Sequence, residues 1–118
     1  LAVKTVLADE EDTPTLIFDE IDTGISGITA GKVGDRLRLI GKSRQVICIT
    51  HLPQIAATAD HHFLIRKKAE GTSVRTDVEM LDEAASVEEL ARLLGGANVT
   101  ERVMESAKEL KELAKCER

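Results

Sequence analysis

The sequence predicts an α/β fold in which parallel strands are flanked by helices and an antiparallel hairpin lies at the edge of the sheet. Two short apolar segments, residues 15–18 and 45–50, are separated by a stretch with helical periodicity. This strand–helix–strand order with nearly all-apolar strands is typical of a parallel sheet covered on both faces. Two later segments, 62–66 and 73–81, are predicted to pair as the hairpin, because the second alternates apolar and charged residues and so has one solvated face.

The helix between the parallel strands has recognisable ends. Ser26 is suited to cap its first turn, and Gly41 is expected to end it in the left-handed conformation that glycine favours. Before the first strand, residues 1–8 carry apolar side chains at helical spacing and are interpreted as the end of a helix. After the second strand, Pro53 predicts the start of a short helix. The buried face of the main helix is predicted to consist of Ile28, Val33, Leu37 and Ile40.

The last third of the chain is predicted to contain two further helices. Ser86 and Glu89 match a capping box, which places the start of the first of these helices at residue 86. Residues 95–96, both glycine, are expected to end it, and Thr100 is suited to cap the last helix. The positions predicted to be buried are Val87, Leu90, Ala91, Leu94, Val103, Ala107, Leu110 and Ala114.

Composition and charge exclude several classes of function. The net charge of −5 argues against binding of DNA or RNA by this chain alone, because backbone binding needs a dense basic surface. The basic run at residues 66–68 is expected to flank a strand at the surface. No apolar run approaches the roughly 20 residues that a membrane span needs. Cys48 and Cys116 are interpreted as free thiols in a reducing compartment.

Two adjacent carboxylates, Asp19 and Glu20, end the first predicted strand, and Asp22 follows two residues later. The carboxyl edge of a parallel sheet is where open α/β folds place ligands, and the second strand delivers His51 to the same edge. In a nucleotide hydrolase, the first carboxylate of such a pair can hold Mg²⁺ through its water shell, and the second can polarise the attacking water. His51 is then a candidate sensor of the γ-phosphate. The same residues are also compatible with a solvated strand end and a histidine that starts a helix.

These segments resemble the second half of the ATPase head of the ABC superfamily of P-loop NTPases, in the branch shared by SMC and Rad50-type proteins. Residues 15–20, TLIFDE, resemble the Walker B strand with its catalytic glutamate. Residues 21–27, IDTGISG, stand where that superfamily has its D-loop, and residues 49–51, ITH, resemble its H-loop. The likeness covers nearly the whole chain through GDRLRLIG, QVICITHLPQIAATADHHFLI and ELARLLGG. It narrows to the SMC-like proteins that repair DNA double-strand breaks in bacteria.

The resemblance implies a cytoplasmic, nucleoid-associated ATPase of DNA repair and recombination, whose heads bind two ATP molecules between two protomers. Position by position, it implies that Asp19 supports Mg²⁺ through water and that Glu20 activates the attacking water. It further implies that His51 contacts the γ-phosphate and that Asp22 communicates with the opposite head of a homodimer. It assigns no chemical role to residues 26–27. DNA is expected to be bound through the full-length protein, with no membrane partner.

The sequence contains no G-x-x-x-x-G-K-[ST] phosphate loop, no signature segment of the LSGGE type and no coiled coil. In this family these parts lie upstream, so residues 1–118 are expected to form a C-terminal lobe fragment that needs the N-terminal half of the same head. The glycine pair at 95–96 reads as a helix end and replaces neither motif. We expect the fragment alone to lack ATPase activity. We also expect it to expose a sheet edge and an apolar patch that favour self-association.

Two alternatives use the same residues differently. One is a metal-dependent phosphoesterase, since acids and histidines at strand ends can bind a pair of divalent metals. Tight binding of Mn²⁺ or Zn²⁺ without nucleotide would favour it. The other is a non-catalytic dimerisation module, which ATP-dependent dimerisation without hydrolysis in a Glu20→Gln variant of the intact protein would distinguish from a catalytic head. The residues that the phosphoesterase would use are Asp19, Glu20 and Asp22 with His51, His61 or His62.

Overall fold

The computed structural model describes residues 14–19 and 24–116. These residues form two compact units that divide after Thr58, and each unit is described by itself. The helix predicted at residues 1–8 lies outside the described residues, as do Glu20 and Asp22.

The first unit contains two strands and two helices. Strand β1 spans Thr15–Asp19, helix α1 spans Gly27–Gly41, strand β2 spans Gln45–Ile49 and the short helix α2 spans Pro53–Ala56. β1 and β2 pair in parallel, as the sequence predicts. The core of this unit is built around Phe18, because the helices cover the sheet face on which its side chain lies. Residues packed in or around that core are Leu16, Ile25, Ala30, Val33, Leu37, Ile40, Val46, Cys48, Leu52 and Ile55.

The opposite face of the β1–β2 sheet is exposed and apolar. Ile17 lies opposite Ile47 in the register, and Ile49 lies opposite Asp19. The exposed fractions of these three isoleucines are 67%, 44% and 41% for Ile17, Ile47 and Ile49. The apolar patch expected from the sequence is therefore present. The expectation that both faces of this sheet are covered is not met within the described residues, because the core of the unit lies on one face.

Helix α1 begins as predicted but differs at two positions. The hydroxyl of Ser26 accepts a hydrogen bond from the backbone N–H of Thr29 at 3.4 Å. Ile28, predicted to be buried, is 81% exposed. The buried stripe of the helix runs instead through Ala30, Gly34 and Leu37. Gly41 does not adopt a left-handed conformation, since the helix closes in a tight turn in which the N–H of Lys42 bonds the carbonyl of Leu39 at 3.3 Å.

The second unit contains a hairpin and two helices. Strand β3 spans His62–Glu70, strand β4 spans Ser73–Leu81, helix α3 spans Glu83–Gly95 and helix α4 spans Glu101–Cys116. The hairpin is antiparallel as predicted, and β3 extends four residues beyond the predicted end. Gly71 provides the positive φ of +62° in the turn, a conformation that glycine adopts without steric cost. Within the described residues, the hairpin forms a two-stranded sheet of its own.

One face of the hairpin is apolar and exposed. Because Phe63 lies opposite Met80 and Ile65 opposite Val78, these side chains share a face. The basic run at 66–68 lies on the surface as expected, but it is part of β3 and does not flank the strand. It makes cross-strand ion pairs there, from Arg66 to Glu79 at 3.9 Å and from Lys68 to Asp77 at 4.0 Å.

Helix α3 begins earlier than the sequence predicts. The carboxylate of Asp82 accepts a hydrogen bond of 2.8 Å from the N–H of Ala85, so Asp82 is the N-cap. Ser86, predicted as the cap, is instead 2% exposed inside the helix. Aspartate and serine cap helices about equally well, and the burial of the Ser86 hydroxyl decides between the two starts.

The remaining helix ends agree with the sequence. Gly96, with φ +62°, follows the last residue of α3. The Thr100 hydroxyl accepts a hydrogen bond of 3.3 Å from the N–H of Val103 at the start of α4. Ala107 and Ala114 are buried as predicted. No helix in the described ranges is long and apolar enough to cross a membrane.

Candidate functional site

The parallel register places two predicted site residues at one edge of the first sheet. Asp19 is the last residue of β1 and lies opposite Ile49, the last residue of β2. His51 follows two residues after Ile49. Because parallel strands end at the same edge, Asp19 and His51 lie at a common edge, and both are exposed.

Asp19 lies on the exposed face of β1. Successive strand residues alternate between faces, so Phe18 enters the core while Asp19 shares the opposite face with Ile17. Phe18 is 4% exposed and anchors the end of the strand. The result is a solvated carboxylate on a strand end held firmly by core packing.

The segment that carries His51 is fixed on both sides. Before it, the hydroxyl of Thr50 accepts a hydrogen bond of 3.0 Å from the N–H of Leu52. After it, Pro53 occupies the first turn of α2, where its lack of an N–H has no cost. Ile55, 3% exposed, anchors α2 in the core. His51 is thus held between a strand end and a buried helix.

Helix α1 approaches α2 closely at two glycines. A Cβ atom at Gly27 would lie 3.3 Å from Nε2 of Gln54. A Cβ atom at Gly34 would lie 2.9 Å from Cγ2 of Thr58 and 3.3 Å from the carbonyl oxygen of Gln54. Residues 26–27 therefore have structural roles here, a helix cap and a close contact.

Gln54 is a residue near the candidate site that the sequence reasoning missed. Its Oε1 atom is buried and has no hydrogen-bond partner within 14–19 and 24–116. The sequence does contain a sign of this residue, because Gln54 is the one polar residue in the apolar segment LPQIAA that follows His51.

The second unit contains a different histidine environment. His61 is exposed, whereas His62 is half-buried with Nδ1 2.7 Å from Oγ of Ser86. Ser86 also accepts a hydrogen bond of 2.7 Å from Nζ of the buried Lys111. Burial, then the positive charge of Lys111, lower the pKa of His62, against a smaller opposing effect of Glu89. These bonds account for His62 as a structural residue of its unit.

The parallel strand pair with its covering helices, followed in sequence by a hairpin and two helices, has the fold of part of an SMC ATPase. A solved structure from a study of ATP-driven dimerization and DNA-stimulated activation of SMC ATPases superposes with a TM-score of 0.64. The match covers 82% of this chain and 58% of that chain at 21% identity.

Over nearly its whole length the chain is homologous to the C-terminal part of the DNA repair protein RecN. It is 47% identical to RecN of Vibrio cholerae over 93% of this chain and 20% of that protein. It is 46% identical to RecN of Halalkalibacterium halodurans, with 97% and 20% covered, and 41% identical to RecN of Streptomyces coelicolor, with 100% and 21% covered. The chain thus spans about one fifth of the length of these relatives. No protein-family model matches it.

Proposed function

We propose that this chain forms the C-terminal lobe of an SMC-like ATPase head and that the full-length protein hydrolyses ATP in the repair of DNA double-strand breaks. The observation that carries this proposal is the parallel register that brings Asp19 and His51 to one sheet edge. The similarity to RecN supports the repair function.

The support for a magnesium ion is the position of Asp19, which offers an exposed carboxylate at the carboxyl end of β1. Mg²⁺ is commonly bound through one or two carboxylates together with substrate phosphates and waters. Asp19 would hold the ion through its water shell. When bound, ATP with Mg²⁺ supplies the phosphoryl group and the charge that neutralises it.

We assign three further roles in the same site. Glu20, directly after Asp19 in the sequence, accepts a proton from the attacking water. His51, in the segment after β2, donates a hydrogen bond to the γ-phosphate. Asp22 contacts the second head of a homodimer, a partner supported by the work on ATP-driven dimerization of the structurally similar SMC ATPases.

The proposed head is completed by residues outside this chain. Its nucleotide-binding half is the N-terminal part of the same protein, and DNA is bound through the full-length assembly. We therefore expect residues 1–118 alone to show no ATP turnover. Turnover by the fragment that Glu20→Gln abolishes would contradict this division of the head.

The test is the ATPase rate of the full-length parent, wild type against Glu20→Gln, with and without DNA. Loss of a general base is expected to lower kcat by about 100-fold or more, while ATP binding persists. The matched control is Asp35→Asn, which makes the same carboxylate-to-amide change on the exposed side of α1. Unchanged turnover in Glu20→Gln would show that Glu20 is a structural acid.

A further inference from the structure

Gln54 lies between the segment that carries His51 and the start of α1, and the proposed site needs these two segments at a fixed distance. It lies three residues after His51, in the single turn of α2. Its Nε2 atom packs beside Gly27, the first residue of α1, at a distance of 3.3 Å from the position of a Cβ atom there. In the sequence, α1 follows the segment that contains Asp22. The side chain of Gln54 therefore links the segment of His51 to the start of this helix.

The second observation concerns the Oε1 atom of Gln54. It is buried and accepts no hydrogen bond from the described residues. More than about 90% of buried polar groups in folded proteins have a hydrogen-bond partner, so the Gln54 oxygen is an acceptor open to a donor that the described residues do not supply. Exposed polar residues of the same unit, such as Gln45, do not face this constraint, because water can satisfy them.

We infer that Gln54 is a positioning residue of the ATPase site, a role that rests on the proposed function. Its side chain holds the His51 segment against the start of α1, and its buried oxygen accepts a hydrogen bond from an N–H or O–H donor outside the described residues when the head is assembled. Gln54 touches no reacting atom in this role. It acts by fixing where His51 lies relative to the start of α1.

The first test is Gln54→Met in the full-length parent, because methionine keeps the length of the side chain and removes both polar atoms. The expected result is a fall in kcat of about 10- to 100-fold, the size of effect that a small misplacement of catalytic groups produces, with KM for ATP changed by less than about twofold. The matched control is Gln45→Met, which makes the same change on the exposed end of β2 and is expected to leave kcat unchanged.

The second test is a double-mutant cycle between Gly27→Ala and Gln54→Ala. A methyl group at Gly27 meets Nε2 of Gln54, so Gly27→Ala is expected to lower kcat when Gln54 is present and to have little effect when it is replaced by alanine. Additive effects would show that the two residues do not act through their contact. If Gln54→Met does not fold, as thermal unfolding would show, Gln54→Asn takes its place, because it keeps the amide but is one carbon too short for the contact.

The outcomes separate this inference from the proposed function. In one outcome, Glu20→Gln loses turnover while Gln54→Met keeps the wild-type kcat, as Gln45→Met does. This outcome would overturn the role of Gln54 and leave the ATPase assignment standing. Full turnover in Glu20→Gln would overturn the assignment of the site itself.

Discussion

The buried amine of Lys111 donates a hydrogen bond of 2.7 Å to the hydroxyl of Ser86, which also lies 2.7 Å from Nδ1 of His62. One hydroxyl therefore joins helix α4, helix α3 and the first residue of β3. Lysine donates only, so Ser86 accepts from Lys111 and can donate its own proton to the neutral ring of His62. This contact fixes the hairpin and both helices of the second unit to one another.

Ser86→Ala is expected to lower the free energy of unfolding of the second unit by about 1–3 kcal/mol, because it removes the acceptor of Lys111 and the hydrogen-bond partner of His62 at a buried position. Urea unfolding followed by circular dichroism measures the change. The control is Ser106→Ala on the exposed side of α4, which is expected to change the free energy by less than about 0.5 kcal/mol. Equal effects of the two substitutions would show that the buried hydroxyl has no special role.

The lowered pKa of His62 predicts a stability that falls on acidification. The group facing it from α4 is Lys111, which lowers its pKa further, and Glu89 of α3 opposes this. Because the folded state holds the pKa below the unfolded value of 6.5, the unfolded state binds more protons as the pH falls through about 6.5. The contribution of His62 to the free energy of unfolding is therefore complete above that pH and is lost progressively below it.

His62→Gln is expected to flatten the decrease in unfolding free energy between about pH 7 and pH 5, since glutamine does not titrate. Urea titrations across this range measure the slope. His61→Gln, a matched change at the exposed neighbour, is expected to keep the wild-type slope. A slope that is the same in the wild type and in His62→Gln would assign the pH dependence to other groups.

The places where sequence reasoning succeeded and failed have separate physical causes. Parallel strands and their common edge followed from apolar patterning, and this was enough to bring Asp19 and His51 together. The start of α3 did not follow, because Asp82 and Ser86 carry nearly equal capping signals and tertiary burial decides between them. Lys111 was missed although it lies four residues after the buried Ala107, since a charged residue on a buried stripe reads as an interruption of the pattern.

The role of Gln54 could not be predicted for a different reason. Its environment depends on how closely α1 approaches α2, and that distance is set by the absence of side chains at Gly27 and Gly34. A sequence shows the glycines but not which element they face.

The exposed face of the first sheet predicts self-association of the isolated chain, since a contiguous apolar surface favours contact with another. Ile47→Lys on this face is expected to reduce association, measured by light scattering, and to change the unfolding free energy by less than about 0.5 kcal/mol. Val46→Lys, one residue earlier and packed against the core, is expected to cost about 2 kcal/mol or more. Association that persists unchanged in Ile47→Lys would place the contact elsewhere.

The last prediction concerns His51 in the full-length parent. If its ring contacts the γ-phosphate, His51→Ala is expected to lower kcat by about 10-fold or more, the contribution of a stabilising donor at a transferring phosphoryl group. His61→Ala provides the matched control, because this exposed histidine follows no strand of the parallel sheet. Single-turnover ATPase rates separate chemistry from product release. A His51→Ala variant with wild-type single-turnover rates would remove His51 from the site, and the proposed roles of Asp19 and Glu20 would then stand without a sensor after β2.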